Sequence, residues 1–283
     1  MRPSTTSVAT DRARSRRRLI ATLGAELVCA AIVIGVSAGP QAGLPQAGSP
    51  TASPTPIPPV SPPQSLAAPA LSSAVLRTVA TPDGRTVELI DLGGAGGDLL
   101  DRVAAELPGA DQAVTAFWGP RWPRTLTIVV AGSPEQFATL AGAGADVAAT
   151  TTAERITFSP AAAAMNQDDL RVVLRHELFH FAARADTAAD APVWLTEGVA
   201  DFVGRPSPAG PVAEPDRLPT DAELSTPGTQ RSAAYDRAFA FAVFVAHTYG
   251  PDRLRELYIA ACGPGHPDAA TAVRDVLGIE LPR

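Results

Sequence analysis

Ten prolines crowd residues 40–70, among Ala, Ser, Thr, Gln and Gly. Such a stretch cannot bury enough apolar surface to offset the entropy of ordering it, and proline stiffens it toward extended conformations. It reads as a stalk, and the folding problem belongs to residues 71–283, enough chain for one core of ordinary size. The only cysteines, Cys29 and Cys262, lie on opposite sides of the stalk. No disulfide framework can therefore staple the body, whose stability must come from a packed core and from any metal it holds.

Residues 1–38 carry six arginines against Asp11 and Glu26, a net of +4, and the remaining chain is left at −10. An acidic body repels phosphate backbones and anionic lipid surfaces, so no nucleic-acid partner is expected, and membrane contact only through the amino-terminal segment. There is no lysine, which excludes lysine chemistry. Behind the basic segment 1–18, residues 19–38 contain a single charge, Glu26. That length suits a transmembrane anchor, while Val36-Ser37-Ala38 resembles a signal-peptide cleavage site. Arginines on the amino-terminal side put the body outside the cell in either case, anchored or secreted. Cys29 follows Glu26-Leu27-Val28, which departs from the small residues of a lipidation site.

The most informative stretch of the body is His176-Glu177-Leu178-Phe179-His180. Leu170, Val173, Leu174, Leu178 and Phe181 recur around it at helical spacing, and Asn166 with Asp168 and Asp169 supplies a cap and an acidic first turn. His176 and His180 then stand one turn apart on one face, where two imidazoles can hold a zinc ion at about 2.0–2.1 Å. Glu177 lies on the same arc, close enough to take a proton from water at such an ion. Pro192 opens a second helix, Trp194-Leu195-Thr196-Glu197-Gly198-Val199-Ala200-Asp201-Phe202.

HELFH followed by WLTEGVADF resembles the gluzincin metallopeptidases, the clan of thermolysin and the aminopeptidase N type enzymes, in a stretch from about residue 125 to 262. The resemblance implies one zinc ion held by His176, His180 and Glu197, with Glu177 as general base and Asp201 orienting His176 from behind. It also implies a strand at the rim of the cleft, here Thr151–Ser159, that pairs with extended substrate backbone. The Gly-x-Met-Glu-Asn motif by which aminopeptidases hold a free amino terminus has no counterpart in residues 150–165, so the expected activity is that of an endopeptidase. Tyr235, with Ala238, Phe241 and Tyr249-Gly250, resembles the tyrosine helix of smaller membrane-associated relatives and is the candidate oxyanion donor. The plainer reading is a tyrosine packed at a helix start. His247 and His266 are lesser rivals for the same role, since His247 lies about three turns further along that helix and His266 sits in a Gly-Pro loop.

The remaining pattern predicts a hairpin over 74–90 around Pro82-Asp83-Gly84-Arg85, and a helix over 99–118 with an interruption at Leu107-Pro108-Gly109. A strand follows over 126–131, then a short helix capped by Ser133. Past the second metal helix come a capping box at Thr220–Glu223 and helices over 232–249, 252–261 and 268–277. The fold class is α+β: an amino-terminal mixed lobe with a cleft-edge strand and a carboxy-terminal helical lobe carrying the metal motif. The expected function is zinc-dependent hydrolysis of peptide or protein substrates outside the cytoplasm. A zinc-containing binding module without turnover is the alternative, against which stands Glu177, a base that a purely structural site does not need.

Overall fold

The computed structural model describes residues 75–282 apart from residues 94–95, 145, 209 and 211. The basic segment, the apolar segment 19–38 and the stalk lie outside the described residues. Among the described residues, no helix is long and apolar enough to cross a membrane.

The chain forms a five-stranded mixed sheet in its amino-terminal part and a helical carboxy-terminal part. Strands β1 (Val75–Ala80) and β2 (Thr86–Asp91) make the expected hairpin. Helix α1 (Gly96–Trp118) crosses to β3 (Thr125–Val130), parallel to β2. Helix α2 (Pro134–Ala141), capped by the Ser133 side chain, precedes β4 (Ala149–Thr151) and β5 (Arg155–Phe158). The spatial order is β1-β2-β3-β5-β4, with β5 parallel to β3 and β4 antiparallel to β5 at the edge.

Two local expectations are corrected. The single rim strand over Thr151–Ser159 is a hairpin: the Thr152 hydroxyl accepts from the backbone N–H groups of Glu154 and Arg155 and turns the chain there. The edge of the sheet is therefore β4, and β5 lies inside. Helix α1 runs unbroken through Pro108. Proline there removes one backbone bond, at about 3 kcal/mol, but Val103, Leu107, Ala110 and Val114 on both sides of it are buried, and that packing holds the helix together.

Helices α3 (Gln167–Ala183), α4 (Val193–Gly204), α5 (Asp221–Ser225), α6 (Thr229–Tyr249), α7 (Pro251–Cys262) and α8 (Ala269–Leu277) follow. Asn166 caps α3 by accepting from the Asp169 N–H, and the Thr220–Glu223 capping box opens α5. Pro192 sits one position before α4 rather than at its first residue. One apolar core runs from the sheet (Val87, Leu89, Ile128, Ile156, Phe158) through α1 and α3 to α4 and α6. Phe179 is wedged edge-on between Trp118 of α1 and Tyr258 of α7, with centroids 5.6 and 5.3 Å away, which fixes the turn of α3 that carries His180. Across α1 and α3, Arg171 Nε donates to Glu106 Oε2 at 2.8 Å.

Helix α4 lies unusually close to both its neighbours. A Cβ on Gly198 would stand 2.5 Å from the Ala238 carbonyl oxygen of α6, and one on Gly204 would stand 2.9 Å from the Val172 carbonyl oxygen of α3. Both obstacles are backbone and cannot swing aside. At the sheet's end, Arg231 of α6 pairs with Asp146, just before β4, at 2.8 Å. Gly198→Ala must push α4 and α6 apart, and the overpacking is expected to cost about 1–3 kcal/mol, read as a lowered urea midpoint. An unchanged midpoint would show that the close approach is not needed.

Candidate metal centre

Helices α3 and α4 pack against one another and turn three side chains to one point. His176 Nε2 stands 3.1 Å from His180 Nε2 and 3.3 Å from Glu197 Oε2, and His180 Nε2 stands 3.6 Å from Glu197 Oε1. One ligand atom from each residue lies within 4.8 Å of the others, and all three residues are buried. Helical spacing explains the two imidazoles; the third group arrives on α4, which Gly204 lets come close to α3.

The tautomer of His176 decides what this cluster is suited to. His176 Nδ1 lies 2.9 Å from Asp201 Oδ1, one turn beyond Glu197, so the ring donates its Nδ1–H there and directs Nε2 at the cluster. Asp201 is held in turn by Arg205, whose Nη2 is 2.7 Å from Oδ2, while Arg205 Nη1 reaches Asp236. A neutral His176 therefore points a lone pair at a second imidazole and at a carboxylate, acceptor against acceptor. An Nε2–H on His180, an added proton or a metal ion can each resolve that. Glu197 Oε2 is buried and meets the His176 ring nitrogen at 3.3 Å. Two imidazole nitrogens and one carboxylate at these separations fit a divalent first-row metal ion, with a position left for water.

Without the metal, the proton takes its place. Burial alone would lower the His176 pKa, but hydrogen bonds to Asp201 and Glu197 and their charges outweigh it and raise the pKa to about 10. Glu197 is pushed up by burial too, yet the His180 and His176 charges and hydrogen bonds win and hold it well below the usual carboxylate range.

Glu177 behaves differently. It is fully buried, and desolvation raises its pKa against the opposing pull of His176, His180 and the Thr151 hydrogen bond. Its Oε1 has no hydrogen-bond partner among the described residues. Oε2 accepts a 2.6 Å bond from the Thr151 hydroxyl at the end of β4. Tyr235 stacks on His176 with ring centroids 6.4 Å apart and 28° between the planes, which places it at the cluster from the α6 side. His247 is exposed on α6, and His266 lies 3.5 Å from Asp190 in the loop between the two metal-motif helices.

The structure thus gathers His176, His180, Glu197, Glu177, Asp201 and Tyr235 in one place. Thr151 and Arg205 are additions. Arg205 stands four residues after Asp201 and was within reach of a helical i, i+4 pairing; nothing local ties Thr151 to a glutamate 26 residues away. Compared with known families and with curated proteins, the chain matches none.

A metal ion must displace the His176 proton. Uptake is expected to release about one proton per ion at neutral pH, measured by titration calorimetry in buffers of differing ionisation enthalpy. The sign for folding follows from a pKa raised above its ordinary 6.5 to about 10. The contribution of the His176 ion pairs is fully present below pH 6.5 and is lost as pH rises through about 10. The metal-free chain should therefore lose stability between pH 7 and 10. At a hundredfold excess over the dissociation constant, zinc should restore about 2.7 kcal/mol in the wild type and far less in His180→Ala.

Proposed function

We propose that this chain is a zinc-dependent endopeptidase of the gluzincin type, hydrolysing peptide or protein substrates. The observation that carries the reading is the pairing of a buried two-histidine, one-glutamate cluster with a buried carboxylate oxygen, Glu177 Oε1, on the residue next to His176, that has no hydrogen-bond partner among the described residues. A purely structural site needs no such oxygen and closes its fourth position with a ligand.

The roles follow from the positions. His176, His180 and Glu197 hold the ion, and Asp201 with Arg205 behind it keeps His176 in the metal-binding tautomer. When bound, zinc supplies Lewis acidity toward a carbonyl and lowers the pKa of water toward about 7. Glu177, its pKa raised by burial, removes the proton from the attacking water and returns it to the leaving amine. Tyr235 donates a hydrogen bond to the oxyanion that develops on the substrate carbonyl.

The sheet edge supports an extended substrate. Ala148 O accepts from the Ser159 N–H, and the Thr152 N–H donates to Arg155 O, so residues 148, 150 and 152 spend their backbone groups on β5. By the alternation of an antiparallel ladder, Ala149 and Thr151 turn theirs away from β5, and because both residues are buried a substrate strand reaches those groups only once what covers them moves aside. Those are the groups an added substrate strand would pair with. The proposal includes an extracytoplasmic location, anchored through residues 19–38 or secreted, as the amino-terminal pattern predicts.

The deciding experiment is cleavage of a mixed peptide library by the zinc-loaded full-length chain beside Glu177→Gln. Loss of the general base is expected to lower turnover by about 10²- to 10⁴-fold with zinc still bound. If neither protein cuts although each carries one zinc ion, the peptidase reading fails and a binding module takes its place. Tyr235→Phe should lower kcat by about 10²- to 10³-fold with KM little changed; full activity in that variant would make Tyr235 a packing residue only.

A further inference from the structure

Glu177 is a long side chain with three side-chain torsions, and a general base works only if one oxygen is held toward the water it deprotonates. Only one of its two oxygens is engaged. Oε2 receives the Thr151 hydroxyl at 2.6 Å, and the same hydroxyl lies 3.0 Å from the main-chain carbonyl oxygen of Glu177 itself. A hydroxyl has one hydrogen to give. At 2.6 Å against 3.0 Å the side-chain oxygen is the nearer acceptor, so the hydrogen goes to Oε2. Thr151 is itself firmly placed: it closes β4, pairs with Ile156 across the hairpin, and is 1% exposed. Its β-branched side chain has few χ1 choices. The sheet therefore presents a fixed donor to a buried carboxylate on a different element, α3.

We propose that Thr151 is a positioning residue for Glu177, fixing Oε2 so that Oε1, the oxygen without a partner, is the one that handles the proton. The catalytic half of this inference rests on the peptidase reading; the geometric half does not. In the reaction, an O–H bond of water breaks and an Oε1–H bond forms; later that bond breaks as the leaving amine nitrogen takes the proton. The proton of Thr151 stays on its own oxygen throughout. Valine has the shape of threonine without the donor, and serine has the donor without the methyl group, so the two substitutions separate hydrogen bonding from packing.

The test uses the full-length, zinc-loaded chain labelled with ¹³C at glutamate carboxyls, with the Glu177 resonance assigned by its loss in Glu177→Gln. Thr151→Val is expected to move that resonance and to lower kcat about 10- to 100-fold, the range for outer partners of metal-site groups, with KM within about twofold and zinc stoichiometry unchanged. Thr151→Ser should restore both the resonance and kcat. If valine does not fold, Thr151→Ala carries the same comparison. The proposal is overturned if removal of the hydroxyl leaves the resonance and kcat in place, if zinc is lost along with activity, or if serine rescues neither. Should the wild type cut nothing while the resonance follows the hydroxyl, the positioning stands and the peptidase reading falls.

Discussion

Three groups that would each rather accept a proton than share space face one another in the interior: His176 Nε2, His180 Nε2 and the Glu197 carboxylate. Bringing them out of water costs desolvation, and leaving them without a cation costs more. Much of the surrounding structure serves this convergence. Phe179 wedged between Trp118 and Tyr258 fixes one end of α3, and the pairing of Arg171 with Glu106 ties that helix to α1. The close approach of α4 to α3 at Gly204 brings Glu197 within reach of both histidines, while Gly198 seats the same helix against α6.

Outside the cluster, a second set of contacts determines which atom faces which. Asp201 sets the tautomer of His176, and Arg205 pairs with Asp201 while its guanidinium lies over Phe239, 5.0 Å from the ring centroid. Thr151 does for Glu177 what Asp201 does for His176, but from the sheet rather than from a helix. The site thus depends on both parts of the molecule. The helices carry His176, His180 and Glu197, and the edge strand carries the hydroxyl that meets Glu177.

The helical part was largely legible in the sequence because its signals are local. Apolar spacing around Leu170–Phe181, the Asn166 cap and the proline before Trp194 each act within a turn or two, and the helices they predict are present. The hairpin of β4 and β5 was not legible, because Thr152-Ala153-Glu154-Arg155 lacks the glycine or asparagine that usually marks a two-residue turn; a threonine side chain makes it instead. The continuity of α1 through Pro108 was hidden for a different reason. Propensity is a local quantity, whereas what keeps that helix intact is burial against distant strands and α3. Of the site, residues on the two metal-motif helices could be named from spacing and resemblance, but Thr151 could not, because no periodicity connects a strand end to a helix residue 26 positions later.

Charge balance links the metal-free and metal-loaded forms. Without an ion, protonated His176 and Arg205 offset Glu197 and Asp201, and burial pushes Glu177 toward its neutral form, so the interior carries little net charge. A divalent ion bound at the cluster would add two charges and displace the His176 proton. The interior then returns to neutrality only if Glu177 is ionised as well, giving three carboxylates against the ion and Arg205. In a low-dielectric interior an uncompensated charge is expensive, so the ion that fills the cluster also favours the ionised Glu177 that a general base requires. Ligand set and base are therefore coupled by electrostatics even though Glu177 is not one of the three converging ligands. A glutamine at 177 would break that coupling, leaving the loaded cluster one positive charge in excess.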